Sequence, residues 1–178
     1  MTFRNASPED ASAIAALHTL SWQLNYRGIW SDEYLDSNLL DERKIYWKKK
    51  LTHPKDIPFV LLAEEGKKLC CFVCAFANHS EKWGTLIDNI HVNQSFQNRG
   101  IGFQLMQAVA IWINHQNLEP KCYLWVLDKN EAGIRFYQRH GGVEVERFMT
   151  ESPGGGQSML RTMYWEDSNK LILKNLDG

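Results

Sequence analysis

Between a strand-like run and a helix-like run, the sequence reads Val92-Asn93-Gln94-Ser95-Phe96-Gln97-Asn98-Arg99-Gly100-Ile101-Gly102. Two glycines and an arginine at a helix start suit a pyrophosphate. First-turn N–H groups have no intrahelical acceptor, the helix dipole favours negative charge, and glycine lets phosphate approach the main chain. The bland alternative is a plain strand-to-helix turn, and Gly-x-Gly alone does not separate the two. A Rossmann fingerprint needs a third glycine where Leu105 stands, and its first glycine nearer the chain's first strand. A Walker loop needs Gly-Lys-Ser/Thr, which is absent. Neither fits.

The elements that must hold this turn follow from periodicity. Thr2–Asn5 reads as a short strand, and Ser7-Pro8-Glu9-Asp10 as a helix start with an N-cap, a first-position proline and first-turn acids. Ile14, Leu17, Ser21 and Leu24 carry that helix to about Asn25, where Tyr26-Arg27-Gly28-Ile29 breaks it. Helices over Asp32–Leu39 and Glu42–Leu51 follow, the second ending before Pro54 and Pro58. Phe59–Glu65 and Lys68–Ala77 flank a turn, Thr85–Val92 is a further strand, and a helix covers Gly100 to about Gln116. Then come a strand at Lys121–Leu127, a helix at Glu131–His140 stopped by Gly141-Gly142, and paired strands at Val143–Thr150 and Met159–Glu166. The order predicts a mixed α/β sheet of about seven strands with helices on both faces. Residues 1–167 should form one domain and 168–178 a C-terminal tail.

Composition narrows the class. The 178 residues are 44% hydrophobic and 23% charged with a net charge of −1, which suits a globular domain and argues against a nucleic-acid partner. No run of about 18 apolar residues exists and Met1–Asn5 is no apolar leader, so a cytoplasmic protein without a membrane partner is expected. The four cysteines fit reduced thiols. Cys71 and Cys74 make a C-x-x-C inside a strand, with no second pair, and the six histidines lack ligand spacing, so no metal is expected. Trp22, Trp30 and Trp47 are either helix packing or the aromatic wall of a substrate pocket.

Gln97-Asn98-Arg99-Gly100-Ile101-Gly102 resembles the Q/R-x-x-G-x-G/A signature of the GNAT superfamily of N-acetyltransferases. Asn130-Glu131-Ala132-Gly133-Ile134-Arg135-Phe136-Tyr137 resembles that family's N-x-x-A-x-x-F-Y at its usual distance, and Arg4–Asp10 is similar to its first strand-to-helix turn. The element order agrees over about residues 2–166. The resemblance implies a mostly antiparallel sheet with a central V-shaped splay, a bulge in the Thr85–Val92 strand that splays it from Lys121–Leu127, and acetyl-CoA as acyl donor without a metal. Backbone groups of Ile90, His91 and Val92 would line the coenzyme. Gln97, Asn98, Arg99, Gly100, Ile101 and Gly102 would hold its pyrophosphate. Asn130 would contact the pantetheine region, Phe136 would pack beside it, and Tyr137 would aim its hydroxyl at the thioester sulfur. Trp22, Tyr26 and Arg27 would cover the acceptor pocket. Two departures stand out. Gly133 replaces a frequent alanine and should loosen the helix start by up to about 1 kcal/mol. Gly142 replaces a frequent phenylalanine, removing a packing contact.

An amine must be neutral to attack a thioester. With a pKa of about 10.4 it is neutral roughly once in a thousand at neutral pH, a handicap of about 4 kcal/mol that a base relieves. The departing thiolate, near about 8.5, is helped by an acid, and a tyrosine near about 10 can serve. Tyr137 is the expected acid. Strand alternation puts Leu86, Asp88, Ile90 and Val92 on one face and His91 on the other. Asp88 is then the expected base, with a water chain as rival. The expected activity is transfer of acetyl to the amine of a small molecule or peptide by direct attack, in a monomer or homodimer. The alternatives are a non-catalytic acyl-CoA sensor and a nucleotide-binding regulatory module. Fold resemblance does not carry the acceptor's identity.

Overall fold

The computed structural model describes residues 1–53 and 58–173. One sheet runs in the order β1-β2-β3-β4-β5-β7-β6, with β1 at Thr2–Asn5, β2 at Phe59–Glu65, β3 at Lys68–Ser80, β4 at Gly84–Val92, β5 at Cys122–Leu127, β6 at Val143–Glu151 and β7 at Gln157–Trp165. Every neighbouring pair is antiparallel except β4 and β5. The helices among the described residues are α1 (Ala11–Asn25), α2 (Asp32–Leu35), α3 (Leu39–Thr52), α4 (Ile101–His115), α5 (Glu131–Arg139) and α6 (Asn169–Leu173). The architecture is the mixed, mostly antiparallel seven-stranded sheet that the sequence predicts.

β3 shows how the two layers of helix are held. Its Cys71, Val73 and Ala75 join Leu105, Met106, Val109 and Ile113 of α4, while Phe72 and Cys74 join Ile14 and Ala15 of α1 and Trp47 of α3. A strand buried on both faces must be apolar throughout. Cys71 and Cys74 therefore point to opposite faces and cannot share a ligand. Burial pushes the Cys71 thiol up to about 12 and raises Cys74 further.

Boundaries differ from expectation in three places. Pro8–Asp10 is a 3-10 turn ahead of α1, where the Asp10 carboxylate accepts from the Ser7 N–H at 2.8 Å and pairs with Arg4 at 2.7 Å. α2 ends at Leu35 and α3 already begins at Leu39, because both leucines are fully buried and the chain turns between them. Pro54 lies outside the described residues. The tail expected from residue 168 begins instead as α6, whose buried Leu171 packs in the α4 cluster and whose Leu171 carbonyl accepts from Gln107 Nε2 at 2.9 Å. Residues 174–178 lie outside the described residues.

Two irregularities position the site. β4 and β5 pair only at Thr85↔Cys122 and Leu86↔Tyr123, then diverge as a V. On β4's other edge the register against β3 passes from Ala75↔Ile87 to Cys74↔Asn89, leaving Asp88 as the extra residue of a β-bulge. The bulge overturns the strict alternation expected for this strand. Ile87, Ile90 and Val92 pack on the α4 side, whereas Asp88 reaches α3 and His91 reaches α1. One inserted residue shifts the period of two, so Asp88 and His91 share a face.

Candidate active site

Where β4 and β5 diverge, a cavity of about 210 Å³ opens between them. It brings together Trp22, Tyr26, Asp88, Ile90, His91 and Tyr137 from the expected site residues. Arg27 is not among them. It turns to the surface and pairs with Asp32 at 2.9 Å and with Asp36. Trp30 takes that place in the wall, edge-on to Tyr26 at 4.5 Å and to Trp22 at 4.7 Å. The tryptophans thus divide: Trp22 and Trp30 line the cavity, and Trp47 is fully buried core.

Tyr137 comes from α5 and stands edge-on to Trp165 of β7 at 6.1 Å. Burial, with a smaller contribution from Tyr26, raises its phenol well above the ordinary tyrosine range. It stays protonated wherever the protein is folded at ordinary pH, as a proton donor must. Asp88 presents one oxygen, Oδ2, to three donors: Lys50 Nζ at 2.5 Å, Asn89 Nδ2 at 2.6 Å and Tyr46 OH at 3.3 Å. Lys50 and Tyr46 are neighbours on one side of α3 at i and i+4. Burial opposes the Lys50 charge, but Asp88, Cys74 and Tyr46 together more than offset it, so the ammonium titrates above its usual range. Nothing in the linear sequence marks these two residues as partners of a strand bulge.

His91 lies under α1. Its Nδ1 is 2.7 Å from Ser21 Oγ, and its ring packs at 4.6 Å from His18, whose Nδ1 accepts from Trp47 Nε1–H at 3.0 Å. Burial pushes His91 down to about 4, against a small opposing effect of Asp88, and holds His18 well below its usual value. Both rings are neutral at pH 7. Below about pH 6.5 the unfolded chain binds protons that the folded one refuses, so stability falls with pH through the window from about 6.5 towards 4. Between pH 7 and pH 5, His91 should account for a loss of about 1–2 kcal/mol. Urea midpoints at the two pH values measure it, and His91→Gln should shrink the difference. An equal difference in both proteins would remove His91 as its source.

The glycine turn lies at the other end of β4. Asn98 (φ +60°) and Gly100 (φ +76°) are left-handed where the chain turns into α4, whose first hydrogen bonds run from the Phe103 and Gln104 N–H groups to the Gly100 carbonyl. A Cβ on Gly100 would meet nothing within 4 Å, so the space beside it is open. Gln97 Nε2 donates to the Val92 carbonyl at 3.2 Å, and Arg99 lies over the Phe96 ring. Val92 and Gln97 also line a smaller cavity of about 110 Å³ beneath α1. The second motif meets the first at Gly102, where an added Cβ would be 3.3 Å from Phe136.

Both departures from the expected pattern are resolved by packing. Asn130 caps α5, its Oδ1 accepting from Gly133 N–H at 3.0 Å, and a Cβ on Gly133 would sit 2.8 Å from the Asn130 amide. Glycine makes room for the cap, which itself contributes about 0.5–2 kcal/mol and offsets the looser helix start. A Cβ on Gly142 would lie 2.7 Å from Trp165, whose Nε1 donates to the His140 carbonyl at 3.0 Å. Trp165 fills the volume that a phenylalanine would have taken.

A parallel splay with a bulged strand, a helix-borne tyrosine lining the cavity there and a glycine turn at the end of that strand define an acetyltransferase fold. Residues 14–142 match the acetyltransferase (GNAT) family, and the chain belongs to that family of acyltransferase enzymes. It is 25% identical over 148 residues to the uncharacterized N-acetyltransferase YuaI of Bacillus subtilis, covering 82% of each chain. Among solved structures it is similar to the PaiA N-acetyltransferase of Thermoplasma acidophilum in complex with coenzyme A, with a TM-score of 0.72, 19% identity and coverage of 92% of this chain and 98% of that one. It is also similar to YncA of Salmonella typhimurium with acetyl-CoA, with a TM-score of 0.65, 18% identity and coverage of 93% and 92%. No helix among the described residues is long and apolar enough to cross a membrane.

Proposed function

We propose that this enzyme transfers an acetyl group from acetyl-CoA to the amine of a small molecule or peptide by direct attack. The observation that carries the reading is the cavity in the splay, which Asp88 and Tyr137 both line. Residues of the chain fit the donor. The first-turn amides of α4 beside the open Gly100 suit phosphates, and β4 beyond Leu86 offers a backbone edge that β5 leaves unpaired. Asn98, Arg99, Ile101 and Gly102 belong to the same turn, while Asn130 and Phe136 fix the α5 end beside it. Acetyl-CoA supplies the activated acyl group.

Asp88 takes the proton of the incoming ammonium directly or through water, using Oδ1, the oxygen without a hydrogen-bond partner among the described residues. The amine nitrogen then forms its bond to the acyl carbon as the carbon–sulfur bond breaks. Tyr137 gives its phenolic proton to the departing sulfur. No side chain is acylated. His91 stays neutral and holds Ser21, fixing α1 over the cavity.

Acetyl-CoA at about 100 times its Kd should stabilise the fold by about 2.7 kcal/mol. For a chain of this size that raises the melting temperature by roughly 5–10 °C. NAD and ATP should not match it at equal concentration. Equal stabilisation by either would sink the donor assignment.

A further inference from the structure

The lining of the larger cavity contains two carboxylates, Asp88 and Glu151, and no lysine or arginine. The cations nearby are committed elsewhere. Arg27 holds Asp32 and Asp36, Lys50 holds Asp88, and Arg43 pairs with Glu42 while lying over the Trp22 ring at 4.6 Å. Glu151 differs from Asp88, having no ion-pair partner among the described residues. It ends β6 and leads into the loop whose Ser152 and Pro153 also line the cavity. That loop is seated against α2, since a Cβ on Gly154 would fall 2.3 Å from Tyr34 Cγ. Trp22, Tyr26, Trp30 and Trp125 line the same cavity, the first three in mutual ring contact.

Uncompensated negative charge beside aromatic faces favours a cation and an apolar linker, and disfavours a carboxylate. Resting on the acetyl-transfer reading, we infer that the acceptor is an alkyl diamine or oligoamine whose second cationic group is read by Glu151. One amine reacts between Asp88 and Tyr137, the methylene chain lies on the indole wall, and the far ammonium meets Glu151 at the cavity's mouth. An amino acid carrying the same amine would bring its carboxylate towards that glutamate with no arginine to receive it.

Three probes with a common four-carbon stem separate these features: butylamine, 1,4-diaminobutane and ornithine, which is the diamine with a carboxylate added. Two readouts are taken on the whole protein, calorimetric binding in the presence of coenzyme A and steady-state acetylation. The diamine should bind at least tenfold tighter than either rival and show the same preference in kcat/KM. In Glu151→Gln the diamine's advantage over butylamine should fall to within about threefold, with the loss carried in KM. Glu151→Asp should restore part of it, which a merely structural glutamate would not require. Selective, Glu151-dependent binding without acetylation would keep the diamine site and overturn the transfer reading. Equal acetylation of all three amines would keep the transfer and overturn the diamine site. Absence of diamine binding, or an ornithine preference, overturns it as well.

Discussion

Gly84→Ala is expected to cost about 2–4 kcal/mol of stability and to damage the site from its apex. Gly84 opens β4 at φ +78°, and a Cβ there would lie 2.5 Å from the Lys121 carbonyl oxygen. That oxygen accepts the Thr85 N–H at 3.0 Å, the first contact of the short β4–β5 pairing. Alanine pays about 1 kcal/mol or more for the left-handed backbone, and crowding against main chain adds roughly 1–3 kcal/mol because backbone cannot rotate away as a side chain can. Gly66→Ala is the control. Gly66 is also left-handed, at φ +64°, but its Cβ would meet nothing within 4 Å, so it bears the conformational cost alone. Denaturant midpoints of the two variants therefore isolate the close approach at the apex. Equal losses would mean that the β4–β5 junction relaxes without strain, and the geometry of the V would not depend on Gly84. Because Tyr137 and Asp88 both line the cavity where that V opens, the Gly84 variant should also lose more turnover than the Gly66 variant.

The sequence carried the strand and helix runs and the glycine turn because these are local. A helical period runs through Ile101–His115, apolar strand-like runs mark Phe59–Glu65 and Lys68–Ala77, and Gly100 with Gly102 marks a turn whatever surrounds it. α6 escaped because five residues are too few to show a 3.6-residue period. Leu171 reveals itself only once α4 is there to bury it. A bulge in β4 is implied by the family resemblance, but its place at Asp88 is not legible, for a different reason. Nothing in Ile87-Asp88-Asn89-Ile90 distinguishes a continuous strand from one with an extra residue, and the register is settled by β3 across the sheet. From that single insertion come the reversed sides of Ile90 and His91, and the meeting of Asp88 with Lys50 and Tyr46. The aromatic lining of the cavity was half legible. The family resemblance points to Trp22 and Tyr26, but Trp30 rather than Arg27 faces inward because Asp32 and Asp36 offer Arg27 two carboxylates. Glu151 arrives from the far end of the chain, through β6 being the last strand of the sheet.

Tyr137→Phe should lower kcat by about 100-fold, the lower end of what general-acid catalysis contributes, since a thiolate already leaves fairly well. The substitution keeps the ring that stands edge-on to Trp165 and beside Phe136, and removes only the hydroxyl. Burial makes that hydroxyl reluctant to ionise, so it remains a donor, but it also makes ionised Tyr137 a poor resting state. The proton given to sulfur must therefore return promptly from the amine or from water, which ties the acid to the base. In the transition state the hydroxyl meets a developing thiolate, whereas in the ground state it meets a weakly basic thioester sulfur. Its loss therefore belongs to kcat and kcat/KM together, with acetyl-CoA affinity held within about twofold. Affinity is read by calorimetry and kcat from the best acceptor amine. Single-turnover rates show whether chemistry or product release limits the wild type. If chemistry limits and kcat is unchanged, Tyr137 is packing and solvent protonates the sulfur. If affinity falls in step with kcat, the hydroxyl binds the thioester in the ground state and confers no special help on the leaving group.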